Sequence, residues 1–278
     1  MPQPSVRCLT GLDVLARDGF APMRGRRVAL LCNQASIAAD LRHSLDVFLE
    51  ARDAGRLDIA AVFGPQHGLW GHTQDNMIEW EGGADPRTGL AVYSLYGTHR
   101  KPSSESLRGV ETFVVDIPDI GARSYTFIWT MALCLEACAE ACVPVLVLDR
   151  PNPLGGLRVE GPVLEPAFSS FIGLHPLPLR HGMTVGEVAR HLRDTFHPTL
   201  ELSVVEMEGW DRSEYGDDTG FPWAAPSPNM PSVDTAVVFP GMCLLEGTNL
   251  SEGRGTTRPF ELLGAPWQLF LGEANPPG

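Results

Sequence analysis

The sequence has no unbroken apolar run of the ~18 residues that a membrane-spanning helix requires. It has no basic block either. Lys and Arg number 21 against 34 Asp and Glu, for a net charge of −13. Nucleic acids and anionic membrane surfaces are held by clustered Lys and Arg, so neither is expected as a partner. Between Met1 and Asp13 there is no apolar core of signal-peptide length, and the expected location is the cytoplasm. Six cysteines are present without a CxxC pair. Cys134, Cys138 and Cys142 recur at every fourth position of an apolar stretch, which makes them one stripe of a helix. Buried small side chains fit that spacing better than a disulfide framework or a zinc site. Cys8, Cys32 and Cys243 are isolated. Three signatures are also missing: G-x-G-x-x-G, G-x-x-x-x-G-K-[ST] and G-x-S-x-G. Their absence disfavours a dinucleotide site, a P-loop and a hydrolase nucleophile elbow.

What the chain does have is many defined loops: 29 glycines and 24 prolines fall between short apolar runs in 278 residues. Val28 to Cys32, Ile59 to Phe63, Thr112 to Ile117 and Val143 to Leu148 are continuous in Val, Ile, Leu and Phe without alternation. Such strands suit a parallel sheet covered on both faces. Helical patterns lie between them. Leu41 to Arg52 places Leu41, Leu45, Phe48 and Leu49 on one face, and Ser124 to Ala141 is a longer apolar helix. Thr184 to Phe196 carries a capping box of Thr184 and Glu187. Leu200 to Glu206 alternates as a strand, Val237 to Phe239 reads as a short strand, and Pro222 to Pro231 is a structured loop. Alternating strands and helices predict an α/β fold, a Rossmann-like, mostly parallel sheet with helices on both faces. The predicted division is 1–200 for that domain and 201–278 for a C-terminal region.

The strands end in polar loops, where ligands bind in open parallel sheets. Phe63-Gly64-Pro65-Gln66-His67-Gly68 brings Gln66 and His67 to that edge. One His with His72 nearby is too thin for a metal site, and none is expected. Asp116, Asp119, Arg123 and Tyr125 follow the next strand, either as caps or as a carboxylate cluster for sugar hydroxyls. Asp149, Arg150 and Asn152 are held by two prolines and two glycines, either as an ordered turn or as a site. Arg180 and His181 precede a helix N-terminus, which favours anions. Asn229 lies in a rigid SPNMP segment. Glu246, Asn249, Glu252 and Arg254 sit on a Gly-rich stretch.

Taken together, FGPQHG, VYSLYG, DIPDIGARSYTFIWTM, VLDRPNPLGG, the stretch from Glu160 to Glu187, DDTGFPW and the stretch from Pro226 to Trp267 resemble the exo-β-N-acetylmuramidase (NamZ, YbbC-like) family in the same order. The likeness covers about residues 10 to 267. It implies a Rossmann-like domain with a cleft against a smaller auxiliary domain. It also implies release of N-acetylmuramic acid from the non-reducing end of peptidoglycan fragments, with no cofactor. Many family members read FGPEHG, and their Glu is the favoured catalytic carboxylate. Here that position is Gln66, and an amide neither accepts nor donates an acid proton. The stretch from Gly71 to Glu81 also departs from the family pattern; either a nearby carboxylate such as Glu79 takes the role, or the chemistry is altered, or the protein is inactive. The chain ends at Gly278, earlier than family members do, so an incomplete auxiliary region is expected.

Glycoside hydrolysis usually requires two carboxyl groups flanking the bond. The resemblance leaves Asp116, Glu246, Glu252 and Glu79 as catalytic candidates, with His67 as an acid or base. Gln66, Asp119, Tyr125, Asp149, Arg150, Asn152, His181, Asn229 and Asn249 are binding candidates. Arg123, Arg180 and Arg254 are candidates for the lactyl carboxylate of muramic acid, because Arg binds carboxylates through two parallel hydrogen bonds. The substrate expected is a muropeptide or another amino-sugar glycoside. A binding-only protein and a hydrolase for a different amino sugar are the alternatives, and oligomeric state and stereochemical course stay open at this level.

Overall fold

The computed structural model describes residues 8–73 and 78–265. In chain order the strands are β1 (Arg27–Cys32), β2 (Asp58–Gly64), β3 (Gly83–Ala84), β4 (Ala91–Ser94), β5 (Thr112–Asp116), β6 (Val145–Leu148), β7 (Glu160–Val163), β8 (Pro178–Arg180) and β9 (Leu202–Val205). The helices are α1 (Gly11–Arg17), α2 (Ser44–Asp53), α3 (Phe127–Ala141), α4 (Val185–Phe196) and α5 (Val233–Met242). Seven strands form one sheet in the order β3-β4-β2-β1-β5-β6-β9. All pairings in it are parallel except the short β3 on β4. A separate antiparallel ribbon joins β7 to β8.

Alternate residues of each central strand enter two cores. Ala29, Leu31, Phe113, Val115, Val145 and Val147 pack with Trp129 and Leu135 of α3 and Val188 of α4. Val28, Leu30, Val114, Leu146 and Leu148 pack with Leu12 and Leu15 of α1 and Leu45 and Phe48 of α2. The result is a three-layer α/β/α fold, and it explains the continuous apolar strands: both faces are buried. The sheet continues past residue 200, because β9 pairs with β6.

Three local expectations are corrected. Val237 to Phe239 is helical, inside α5, whose N-cap Ser232 accepts from the Thr235 amide. A three-residue apolar run does not distinguish strand from buried helix, and the cap decides. Leu41 lies outside α2, 64% exposed with φ 70°, because His43 starts the helix. Cys142 is exposed, ending α3 in a left-handed cap, while Cys134 and Cys138 are buried as expected. Among the described residues no helix is long and apolar enough to cross a membrane.

Candidate active site

The order of strands changes direction between β1 and β5, where a crevice is expected. Here the Pro-rich segment after Phe221 fills it. Asn33 Nδ2 donates to the Pro226 carbonyl at 3.1 Å, and Gln34 Nε2 donates to the carbonyls of Ala225 (3.1 Å) and Pro226 (2.9 Å). About 60 Å³ remains beneath, walled by Pro118, Pro151, Pro153 and Trp223. The larger space lies to one side. A cavity of about 430 Å³ opens past the ends of β2 and β4. Gln66 and His67 follow β2, Tyr96 and Arg100 follow β4, and Ser124 to Phe127 lead into α3. Phe171, Ser227, Phe239, Glu246, Arg254 and Phe260 complete the wall.

The turn Pro65 to Gly68 aims Gln66 and His67. His67 (φ 71°) and Gly68 (φ 84°) are both left-handed, a conformation that is costly for His. The left-handed backbone at Gly68 is one that residues with a side chain rarely adopt, and a Cβ there would also push on the His72 ring at 2.4 Å, so glycine is favoured. His67 Nδ1 lies 2.9 Å from the Thr73 carbonyl. A carbonyl only accepts, so Nδ1 carries the proton and the neutral ring leaves Nε2 a lone pair. Burial pushes the His67 pKa below its ordinary value, and the charge of Arg254 adds to this. Thr126 Oγ1 donates to Gln66 Oε1 at 2.9 Å. Tyr125 is buried beside Ser227, and burial pushes its phenol well above the ordinary range.

Among the described residues lining the cavity, Glu246 is the one carboxylate. Arg254 binds it at 2.7 Å and holds Glu252 at 2.9 Å through its Nε. On the other side, Arg100 reaches Glu79 at 3.5 Å. Thus Glu246 and Arg254 stand in the cavity wall, with Glu252 and Glu79 each linked to it through an arginine.

Most of the remaining sequence candidates lie elsewhere. Arg150 grips Asp116 with two bonds, Nε–Oδ1 at 2.7 Å and Nη2–Oδ2 at 3.0 Å, and also donates to the Ile37 carbonyl. Both side chains are almost wholly buried. Asp149 accepts from Thr184 Oγ1 and the Gly186 amide at the start of α4, and burial raises its carboxyl pKa against those bonds. Asn152 ties Met183 to Leu154. Its amide presses on Gly121 (φ 78°), where a Cβ would lie 2.3 Å from Oδ1. Asp119 accepts from His181 Nε2 (3.0 Å) and the Gly121 amide (2.8 Å). Arg123 donates to the carbonyls of Pro162 and Leu177. Arg180 is paired with Glu160 at 2.5 Å in a separate pocket with Tyr215. Asn229 is half-buried and Asn249 exposed, and neither lines the cavity. Among the described residues no group of three His, Cys, Asp or Glu is arranged to hold a metal ion.

Sequence reasoning missed Tyr96, Arg100, Thr126 and Phe171. The signal was available in part: VYSLYG and the Ser169 to Gly173 segment lie in the quoted likeness, yet they lack the acidic or imidazole groups that draw attention.

Two family models match the chain. One, described as the N-terminal part of exo-beta-N-acetylmuramidase NamZ, covers residues 28–234, and the C-terminal one covers 237–274. The cavity has walls from both segments. Peptidoglycan beta-N-acetylmuramidase NamZ of Bacillus subtilis (strain 168) is 47% identical over 260 residues, which is 93% of this chain and 61% of that protein. The chain therefore spans about three fifths of that relative's length. Two crystal structures of DUF1343 family proteins from Bacteroides fragilis NCTC 9343 share the fold. One has a TM-score of 0.87 and 38% identity, covering 96% of this chain and 67% of its own. The other has a TM-score of 0.79 and 33% identity, covering 93% and 67%.

Proposed function

The chain belongs to the exo-β-N-acetylmuramidase NamZ family, and we propose that it is itself a glycoside hydrolase releasing N-acetylmuramic acid from the non-reducing end of peptidoglycan fragments. The observation that carries this reading is one cavity with a carboxylate, Glu246, and a neutral imidazole, His67, in its wall. Its volume suits a small-molecule ligand. The fragments are products of cell wall turnover, and the cytoplasmic location expected from the sequence is part of this proposal.

In the proposed reaction the oxygen of the attacking water bonds to the anomeric carbon as the glycosidic C–O bond breaks. His67 Nε2 takes a proton from that water, the departing oxygen takes one from solvent, and His67 then returns its own to solvent. Its Nδ1–H stays with Thr73, which fixes the ring and its tautomer. Glu246 supplies negative charge to the oxocarbenium-like transition state, with Arg254 fixing its position. Gln66 holds the sugar by hydrogen bonding, oriented by the Thr126 hydroxyl. Glu79 and Glu252 tune the two arginines from behind.

A second reading rests on Gln66 itself: an amide where many family members carry Glu fits a protein that binds amino sugars without cleaving them. An aryl β-N-acetylmuramide assayed beside the aryl β-N-acetylglucosaminide separates these. Release from the muramide alone establishes the hydrolase, and release from the glucosaminide alone points to another amino sugar. If folded protein releases neither and Gln66→Glu gains activity, the binding reading holds. Thr126 donates as readily to a carboxylate as to an amide, so that variant is expected to fold.

A further inference from the structure

The substrate proposed above bears a carboxylate on its lactyl ether, and an acidic protein needs a specific cation to hold it. Four arginines deserve comparison. Arg123 does not line the cavity and gives its Nη1 to two backbone carbonyls, and Arg180 is bound to Glu160 outside the cavity. Arg254 faces the cavity but is flanked by Glu246 at 2.7 Å and Glu252 at 2.9 Å. One guanidinium between two carboxylates is a net negative cluster, which repels a third carboxylate at close range. That leaves Arg100.

Arg100 lines the same cavity. Its Cζ lies 4.0 Å from the Tyr96 ring centroid and 4.5 Å from that of Phe171. The two rings are 5.7 Å apart and tilted by 47°, so the guanidinium sits in the corner they form. Tyr96 is 2% exposed and fixed in the core. Stacking on aromatic faces uses the flat faces of a guanidinium and leaves its N–H edge for hydrogen bonds. The entropy of ordering this long side chain is thus met before any ligand arrives. Its acidic neighbour is a loose one: the Glu79 contact is 3.5 Å long, and the Glu79 side chain is 56% exposed. Water-exposed pairs of that length contribute little and give way to a better-placed anion.

We infer that Arg100, held in the corner of Tyr96 and Phe171, is the residue that recognises the lactyl carboxylate of the amino sugar and so selects muramic acid over glucosamine in the substrate. This rests on the hydrolase reading for its kinetic form, while its binding form stands without it.

The test compares the full chain with Arg100→Gln and Arg100→Lys. Two readouts are taken: kcat/KM on the paired aryl muramide and glucosaminide, and calorimetric Kd for N-acetylmuramic acid and N-acetylglucosamine. Thermal unfolding verifies that each variant is folded. The expected result is a ten- to hundredfold loss with Arg100→Gln for the muramyl ligand in both readouts, the size of a lost charged hydrogen bond (about 1.5–3 kcal/mol). The glucosamine partner is expected to change less than about threefold. Arg100→Lys keeps charge but not the fork, and recovers part of the preference. Wild-type cleavage of the muramide with an unchanged muramyl preference in Arg100→Gln overturns the assignment and leaves the hydrolase reading standing. If the wild type cleaves neither glycoside, the hydrolase reading fails and the Kd ratio alone decides. A ratio that collapses in Arg100→Gln supports Arg100. A ratio that is flat in the wild type, or unchanged in the variant, overturns it.

Discussion

Two polar regions sit at the carboxyl edge of the same sheet, and they are built on opposite plans. At the reversal between β1 and β5, Asp116, Arg150, Asp119, His181, Asp149 and Asn152 are buried and joined to one another or to backbone. Past β2 and β4, Gln66, His67, Arg100, Glu246 and Arg254 border open volume. The first region retains about 60 Å³, the second about 430 Å³. The difference teaches that a polar loop after an apolar strand reports where a backbone turns, not whether its side chains face a ligand. Buried polar groups are costly unless paired, so a cluster whose members mostly pair with one another or with backbone is a fold device, with Asp119 Oδ1 the exception that lacks a partner among the described residues. In this chain the Asn33 and Gln34 side chains draw the Pro226 loop over the reversal point, and the open site moves toward the β4 side.

Cutting the buried, paired region gives the largest expected effect. Asp116→Ala leaves the Arg150 guanidinium buried and unpaired, which costs about 3–5 kcal/mol out of a total of about 5–15. The urea midpoint is expected to collapse, with activity falling only as folded protein disappears. A variant that keeps its midpoint yet loses activity in folded form dissolves the distinction between the regions.

The open region predicts the converse. His67→Asn keeps a residue that tolerates the left-handed backbone but removes the Nε2 base. A fall of about 10²- to 10⁴-fold in kcat is expected, with an unfolding midpoint close to that of the wild type. Full activity in this variant removes His67 from the reaction.

How much of this was legible in the sequence follows the same division. The strands β1, β2, β5, β6 and β9 and the helices α2, α3 and α4 were readable because burial on two faces, or on one, leaves continuous or periodic apolar patterns. The capping box of Thr184 and Glu187 was readable because it needs only local spacing. α5 was not, since its apolar VVF run carries no period long enough to choose helix over strand. For the site, Gln66, His67, Glu246 and Arg254 were named from sequence and line one cavity. Asp116 and Arg150 were named for the same reasons and do not line it. Their mutual grip joins β5 to β6 across 34 residues, and no local pattern encodes such a pairing. Arg100 was missed because its meaning comes from Phe171, which reaches it from a distant segment.

A smaller effect sharpens the structural side. Gly121→Ala places a methyl against Asn152 at a backbone angle of φ 78°. A loss of about 1–3 kcal/mol is expected from clash and strain. Because Asn152 ties Met183 to Leu154, the loss belongs to stability, read from denaturant midpoints, with kcat of the folded fraction held. A change in kcat without a change in midpoint contradicts the placement of Asn152 in the fold.

The smallest effect is the pH dependence, and it addresses both regions at once. Burial lowers the pKa of His43, His67 and His175. In the unfolded chain a histidine titrates near about 6.5. Above that value neither state is protonated and these groups contribute no slope. Below it the unfolded state takes up protons first, so stability falls as pH falls, until the folded side chains protonate in turn. Asp149, whose pKa burial raises, acts in the opposite sense at lower pH. Thermal midpoints are therefore expected to begin falling as pH drops from 7 toward 5. The acid limb of kcat/KM is set by His67 in the folded protein, and it is expected below the ordinary histidine value. Activity per folded molecule thus persists at a pH where the fold has already begun to weaken. An acid limb at or above the ordinary value, in protein still folded, excludes a buried neutral His67 as the base.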